Sequence, residues 1–491
     1  MREIVTPDWV KHAVFYQIFP DRFAKSDRLE KPNNIEPWDS DPTIYGYKGG
    51  DLLGVLEHLD HIQELGATAI YFCPIFQSAS NHRYHTHDYY RVDPLLGGDA
   101  AFDTLLAECK RRGLRVVLDG VFNHASRGFF QFNDVLENGA ASPWLDWFFF
   151  AEHPANAYDH NRSPGYTAWW GLHALPKFNT DNPQVREYLM RVGEHWMRKG
   201  IDGWRLDVAE EIKTAGFWAE FRQRIKAINP EAYIVGEIWT DSREWLQGDQ
   251  FDGVMNYLWT EPTIAFCAGD RVRRDQEEDR SYRPRPALIG VEYADRIDHL
   301  LELYPWPIQQ TQLNLLDSHD TARFITIVGD DTASVRLGTL LLMTFPGAPS
   351  IYYGDEIGLT GGRPDEMARK TFPWDRPATW DMQLCSFYKQ AIALRRAQPA
   401  LRTGAYQRVL ATPDVYAFAR TLEATTLVVA VNVAEEPRTA QAPLDGLAVR
   451  QGTPTTLFGE GSTAEIQSST LRVALAPRSG IVLDVSAENI C

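Results

Sequence analysis

Asp207 follows Arg205 by two residues in the stretch Gly203-Trp-Arg-Leu-Asp-Val-Ala-Glu-Glu211. An apolar run that ends in polar residues predicts a short buried strand. Alternation along a strand puts Arg205 and Asp207 on one face, with Trp204, Leu206 and Val208 on the other. A cation on the same face keeps a carboxylate ionised and oriented, which a carboxylate nucleophile requires. Alone, the pattern equally describes a structural ion pair capping a strand. A second carboxylate, Glu237, is followed by Ile238 and Trp239. Apolar neighbours raise a carboxyl pKa and suit it to donate a proton. One ionised and one protonated carboxylate are the pair that glycosidic-bond chemistry uses.

Both carboxylates lie at strand ends, and the rest of the chain supplies strands to match. Apolar runs at 12–20, 67–73, 114–118, 203–208, Tyr233–Gly236, 251–255, 312–316 and 350–353 read as eight short strands. Helical spacing appears at 52–65, 102–112, Pro183–Lys199 and Phe217–Ile228, with Gly66, Gly113 and Gly200 as stops. Short apolar strands alternating with helices predict parallel pairing covered on both faces, and eight such units predict an α/β fold of the (β/α)8 TIM-barrel type. An open doubly wound sheet is the alternative. It would carry a Gly-rich phosphate turn after the first strand, and this chain has none. About sixty aromatic- and Asn-rich residues (121–181) separate strand three from its helix, the length of an inserted domain rather than a loop. The stretch 265–307 is charged and Pro-containing and receives no assignment. After about residue 401, short strands between Gly and Pro predict an antiparallel β-sandwich. The expected boundaries are 1–121 with 182–400 for the barrel, 122–181 for the insertion and 401–491 for the C-terminal domain.

In barrel enzymes the active site gathers at the carboxyl ends of the strands. Those ends here are Asp119-Gly-Val-Phe-Asn-His124, Arg205 with Asp207, Gly236-Glu-Ile-Trp239, Asp317-Ser-His-Asp320 and Tyr353-Gly-Asp-Glu356. Charges on successive ends of one face are more than a structural barrel needs. Asp355 and Glu356 read as caps of the last strand, and neither as catalytic.

Composition bounds the partners. Net charge is −17, from 66 acidic and 49 basic residues, which argues against nucleic acid. The 15 Trp and 20 Tyr offer flat faces on which sugars pack. Five dispersed Cys (73, 109, 267, 385, 491) without C-x-x-C spacing suggest reduced thiols and a cytoplasmic location. The N-terminal MREIVTPDWV has no signal pattern, and no apolar run reaches a membrane span; 145–151 is too short. His82, His85 and His87 lack further ligands at zinc spacing. Trp144, Trp147 and Phe148 to Phe150 are expected to form the core of the insertion.

The motifs DGVFNH (119–124), LPKFN (175–179), GWRLDVAEE (203–211), GEIW (236–239), DSHD (317–320) and GAPSIYYGDE (347–356) resemble, in order and spacing, those of the α-amylase family of glycoside hydrolases, over nearly the whole chain. The resemblance implies a retaining α-glucan hydrolase. It makes Asp207 the nucleophile, Glu237 the general acid/base and Asp320 the stabiliser of the transition state. It implies sugar contacts for Asp119, His124, Arg205 and His319, a hydrogen-bonding His82, a stacking Tyr84, and a contact one sugar further on for Asp365 and Arg369. Trp239 falls on the leaving-group side. LPKFN is similar to the MPKLN-type signature of neopullulanases, cyclomaltodextrinases and maltogenic amylases. That branch usually carries an N-terminal β-domain that contributes to its dimer; the barrel here begins within about ten residues of Met1, which leaves a homodimer open. Glu210 stands where the branch has Asn. The branch's calcium loop is here KSDRLEKPNN (25–34), in which Asp27, with Asp51 beyond it, is within reach of a cation; the ligand set is depleted, the chemistry requires no cofactor, and calcium stays unassigned. Two alternatives remain: a trehalose-forming relative, and an inactive carbohydrate-binding relative, which would be expected to lack one of the three carboxylates.

Overall fold

The computed structural model describes residues 4–151, 155–276, 286–459 and 461–487. Eight short parallel strands form its centre: β1 Phe15–Ile18, β2 Ala69–Phe72, β3 Arg115–Gly120, β4 Gly203–Leu206, β5 Tyr233–Gly236, β6 Gly253–Val254, β7 Leu313–Asn314 and β8 Ala348–Tyr352. Their order is β6-β5-β4-β3-β2-β1-β8-β7. A parallel bridge between Met255 and Leu313 joins the two outer strands, so the sheet closes into the barrel that the alternation of elements predicts. Residues on both faces of the strands are buried, because side chains fill the barrel and helices cover it.

Two local features aim the site. Helix Pro183–Lys199 starts with Asn182 accepting from the Gln184 N–H and with Pro183 at its first position. It ends at Gly200, whose φ of 110° allows the left-handed cap. The chain then turns directly into β4. Gly203 opens that strand where a Cβ would lie 2.3 Å from the Tyr233 carbonyl oxygen, so β4 and β5 come this close only with glycine. The register that follows sets Arg205 opposite Asp119 on one side and Val235 on the other.

Several expectations need correction. The helix at 52–65 is two helices, Leu52–Glu57 and Leu59–Leu65, broken at His58. His58 Nδ1 lies 2.9 Å from the Gly54 carbonyl, and its ring packs 3.9 Å from Trp374. The helix expected at 102–112 runs from Gly98 to Arg111. The unassigned stretch 265–307 includes the end of helix Tyr257–Ala268, then Gly290–Leu303 and the start of Trp306–Gln309. Tyr257–Ala268 is buried nearly all round and so shows no apolar stripe. Residues 277–285 of that stretch lie outside the described residues.

The C-terminal part is an antiparallel sandwich of five and three strands. The inner faces bury Val428, Ala430, Ile481 and Leu483 against Ala442, Leu471 and Val473. Strands Arg438–Pro443 and Thr463–Gln467 were not expected. Their exposed faces are polar, which hides them in the sequence. Among the described residues no helix is long and apolar enough to cross a membrane. Cys73, Cys109, Cys267 and Cys385 are buried and unbridged; Cys491 and residues 1–3 lie outside the described residues.

Candidate active site

The site is built around one guanidinium. Arg205 is fully buried. Its Nη1 donates to Asp119 Oδ1 and Oδ2, both at 3.0 Å, and to Asp207 Oδ1 at 2.9 Å, while Nη2 lies 2.9 Å from Glu237 Oε1. Three carboxyl groups from the ends of β3, β4 and β5 therefore converge on one cation. Three buried carboxyl groups against one guanidinium leave an excess of negative charge, which favours their protonated forms. Burial raises Asp119 to about 6, with Arg205, Tyr71 and Tyr84 opposing. Asp207 is held well above the ordinary carboxylate value, by burial first, with Arg205 opposing and Glu237 and Asp119 adding to the rise. Arg205 favours the ionised form of Asp207, as the spacing predicts, but it is shared three ways and does not cancel the effect of burial.

Glu237 is raised too, by burial first, with Arg205 opposing. Its surroundings are not simply apolar, as its sequence neighbours suggested. The Val208 N–H donates to Oε2 at 2.9 Å, and the Trp239 indole N–H to Oε1 at 3.2 Å. Val208 has φ 38° and ψ 49°, a costly conformation for a β-branched residue. That turn is what sends its N–H to Glu237.

Above them lies a cavity of about 670 Å³. Asp207, Glu237, Asp320, His82, Tyr84, His124, Trp239, Asp365 and Arg369 all reach its wall. Asp119, Arg205 and His319 do not; they sit beneath the floor. His319 Nδ1 meets Gln17 Nε2 at 2.8 Å, and its Nε2 lies 3.1 Å from Asp320 Oδ2. Tyr84 stacks on His319 at 5.3 Å, and its hydroxyl bonds His319 Nε2 and, at 2.9 Å, Asp119. Arg369 Nη2 lies 3.3 Å from Asp320 and 3.6 Å from Asp365, and its Nε donates to the His319 carbonyl at 2.7 Å. Burial pushes His82 well below the usual histidine value and His124 down to about 3, so both are neutral. His124 Nε2 is buried and has no hydrogen-bond partner among the described residues. Trp239 lies flat on Tyr257, centroids 3.5 Å apart.

Trp169 and Trp170 were overlooked. They stack on each other at 4.4 Å, Trp169 stacks on His124, and both line the cavity. Trp170 has φ 51° and is 55% exposed. The pair Trp-Trp-Gly inside the insertion was the available signal. Of the aromatics expected in the insertion's core, Trp147 and Phe148 are buried and Phe149 is exposed. Lys177 of LPKFN reaches Glu211 Oε2 at 3.1 Å, tying the insertion to the segment after Asp207. Glu210, also on the cavity wall, is raised by burial to about 7.

Asp355 and Glu356 pack structurally: Asp355 pairs with Arg323 at 3.0 Å, and Glu356 accepts from Tyr16 at 2.8 Å. The residues named for calcium do not fit one. Asp51 Oδ1 caps helix Leu52–Glu57 through the Gly54 N–H at 2.7 Å, and its Oδ2 takes the Ser26 N–H at 2.9 Å and Lys31 Nζ at 2.7 Å. Asp27 is exposed.

Residues 17–376 match the family model described as the alpha amylase catalytic domain. The chain is 42% identical over 485 residues to a cyclomaltodextrinase of Geobacillus thermopakistaniensis, covering 98% of this chain and 78% of that one. It is 41% identical over 484 residues to neopullulanase 2 of Thermoactinomyces vulgaris, covering 97% and 78%. The crystal structure of a Nostoc punctiforme debranching enzyme soaked with acarbose superposes with a TM-score of 0.90 at 56% identity, covering 98% of this chain and all of that one.

Proposed function

The chain belongs to the α-amylase family of glycoside hydrolases, in the neopullulanase, cyclomaltodextrinase and maltogenic amylase branch, and from that premise we propose how its site works. It is an α-glucan hydrolase acting on α-1,4 and α-1,6 glucosidic bonds of maltooligosaccharides, cyclodextrins or pullulan, with transfer to sugar acceptors. The names of its relatives, a cyclomaltodextrinase, a neopullulanase and a debranching enzyme, support that substrate range.

One observation carries the mechanism: Asp207 and Glu237 both lie 2.9 Å from the two ends of the Arg205 guanidinium and both reach the same cavity. Two carboxyls on one guanidinium, facing one cavity, support double displacement, which needs about 5–5.5 Å between them. Asp207 attacks the anomeric carbon and forms a glycosyl ester. The bond to the leaving oxygen breaks, and Glu237 passes its proton to that oxygen. Water then attacks the anomeric carbon, Glu237 takes a proton from that water, and Asp207 departs as carboxylate. A sugar hydroxyl in place of water gives transfer. Asp320, oriented by His319 and Arg369, binds the sugar as positive charge develops on it. Tyr84, on its His319 support, gives that sugar a flat face. Asp119 and Arg205 work from beneath by fixing Tyr84, Asp207 and Glu237.

The four unbridged buried cysteines support a reducing, cytoplasmic setting. The net charge of −17 argues against nucleic acid. Assay of maltotriose, cyclodextrin, pullulan, trehalose and maltose separates the readings. Maltooligosaccharide products from the first three are expected; trehalose formed from maltose would favour the isomerising relative, and no turnover would favour the inactive one.

A further inference from the structure

The loop between Phe23 and helix Leu52–Glu57 is where the family resemblance places a calcium ion, and its buried carboxylate Asp51 is already occupied. Asp51 is engaged on both oxygens, one of them by Lys31. A second lysine in the same loop is better surrounded still. The Lys48 side chain is fully buried, a rare state for lysine. Its Nζ lies 2.8 Å from the Pro37 carbonyl, 2.7 Å from the Ser40 carbonyl, 2.5 Å from Ser40 Oγ, 3.5 Å from the Asp41 carbonyl and 3.3 Å from Glu36 Oε2. Carbonyls, a hydroxyl and a carboxylate gathered on one positive centre are the surroundings of a bound hard cation.

The oxygens all come from one short closed segment. The Glu36 N–H meets the Tyr47 carbonyl at 2.8 Å, so residues 36–47 form a compact loop with touching ends, and the ammonium fills it. The loop's far side is fastened at the active site. Asn81 Nδ2 donates to the carbonyls of Ile44 at 3.0 Å and Gly46 at 2.9 Å, and Arg22 Nη2 donates to Gly46 at 2.9 Å. Ile44, Arg22 and Asn81 all line the substrate cavity, and Ile44 is 60% exposed.

We infer that the Lys48 ammonium is a built-in cation that stands in for a metal, shaping loop 36–47 so that Ile44 forms part of the wall against which glucan chains bind. Lys48 is thus a positioning residue, acting through a loop rather than on the reacting atoms. The inference rests on the reading of the cavity as the glucan site; its stability arm does not.

The test compares wild type, Lys48→Met and Ser40→Ala for melting temperature with EDTA and with added calcium, and for KM and kcat on maltotriose. Lys48→Met keeps the length and removes the charge. It is expected to melt several degrees lower and to raise KM roughly fivefold with a smaller fall in kcat, as lost positioning of a binding wall does. Ser40→Ala removes one oxygen only and gives the same changes in smaller measure, which keeps the test readable if Lys48→Met does not fold. Wild type keeps its melting temperature in EDTA, and calcium restores neither variant. Unchanged melting temperature and KM in the variants overturn the inference, as does a wild-type melting drop in EDTA that calcium reverses. If the protein cleaves no glucan, the melting arm still tests the cation.

Discussion

Replacing Trp239 by Phe removes the indole N–H that donates to Glu237 Oε1 at 3.2 Å, and keeps an aromatic ring against Tyr257. A hydrogen bond to a charged group contributes about 1.5–3 kcal/mol. At 3.2 Å, long for a charge-assisted bond, the low end applies. Division by the 1.36 kcal/mol that corresponds to one pH unit gives a rise of about one unit in the pKa at which Glu237 loses its proton. The sign follows from which form the bond favours. The N–H stabilises the carboxylate, so its loss favours the acid and keeps Glu237 protonated to higher pH. For a general acid this moves the basic limb of the kcat/KM profile upward by about one unit and leaves the acid limb nearly in place. The assay is kcat/KM on maltotriose from pH 4 to 10 for wild type and variant, with the fold checked by circular dichroism. A basic limb that stays put or moves down would refute Glu237 as the proton donor.

Asp207→Asn and Glu237→Gln should each lower turnover on maltooligosaccharides by at least about a thousandfold with the fold intact, read by initial rates and thermal melting; near wild-type rates in either remove that residue from the mechanism. Trp169→Ala should raise KM for maltotriose roughly fivefold, the equivalent of about 1 kcal/mol of lost aromatic contact, with kcat less affected. His124 is buried neutral with its pKa down at about 3, below the unfolded value of 6.5, so its contribution to stability is complete above 6.5 and is lost as pH falls towards 3; His124→Asn should flatten the fall in urea midpoint between pH 7 and pH 4. Concentrated maltotriose should yield longer or branched products at early times, seen by chromatography, and glucose and maltose alone would reject transfer.

The barrel was legible because its strands are short apolar runs, several of them ending in polar residues, and because Gly200 and Pro183 mark the ends of the helix that feeds β4. Strand ends were less legible than strand centres: β6 and β7 are only two residues long each. Helix Tyr257–Ala268 escaped because burial on all sides removes the periodic stripe. Strands Arg438–Pro443 and Thr463–Gln467 escaped because only alternate residues are buried. At the site, the sequence placed the charged groups but not their layers. Nothing in the spacing of Asp119, Arg205 and His319 says that they lie under Tyr84 and Asp207 rather than beside the sugar. The neighbours of Glu237 suggested an apolar setting, whereas the indole N–H of Trp239 and the strained turn at Val208 bring donors back to it. Such contacts depend on side-chain direction and on a left-handed residue, which local pattern does not reveal.

The central claim is that Asp207 forms a covalent bond to the sugar. Incubation with 5-fluoro-α-glucosyl fluoride, whose fluorines speed formation of the ester and slow its hydrolysis, should trap it. Mass spectrometry of a peptic digest is predicted to find one fluoroglucosyl group on the peptide carrying Asp207, lost again when maltose is added as an acceptor. Release of fluoride with the label on another carboxylate, or with no label on Asp207 at any time, would contradict the account.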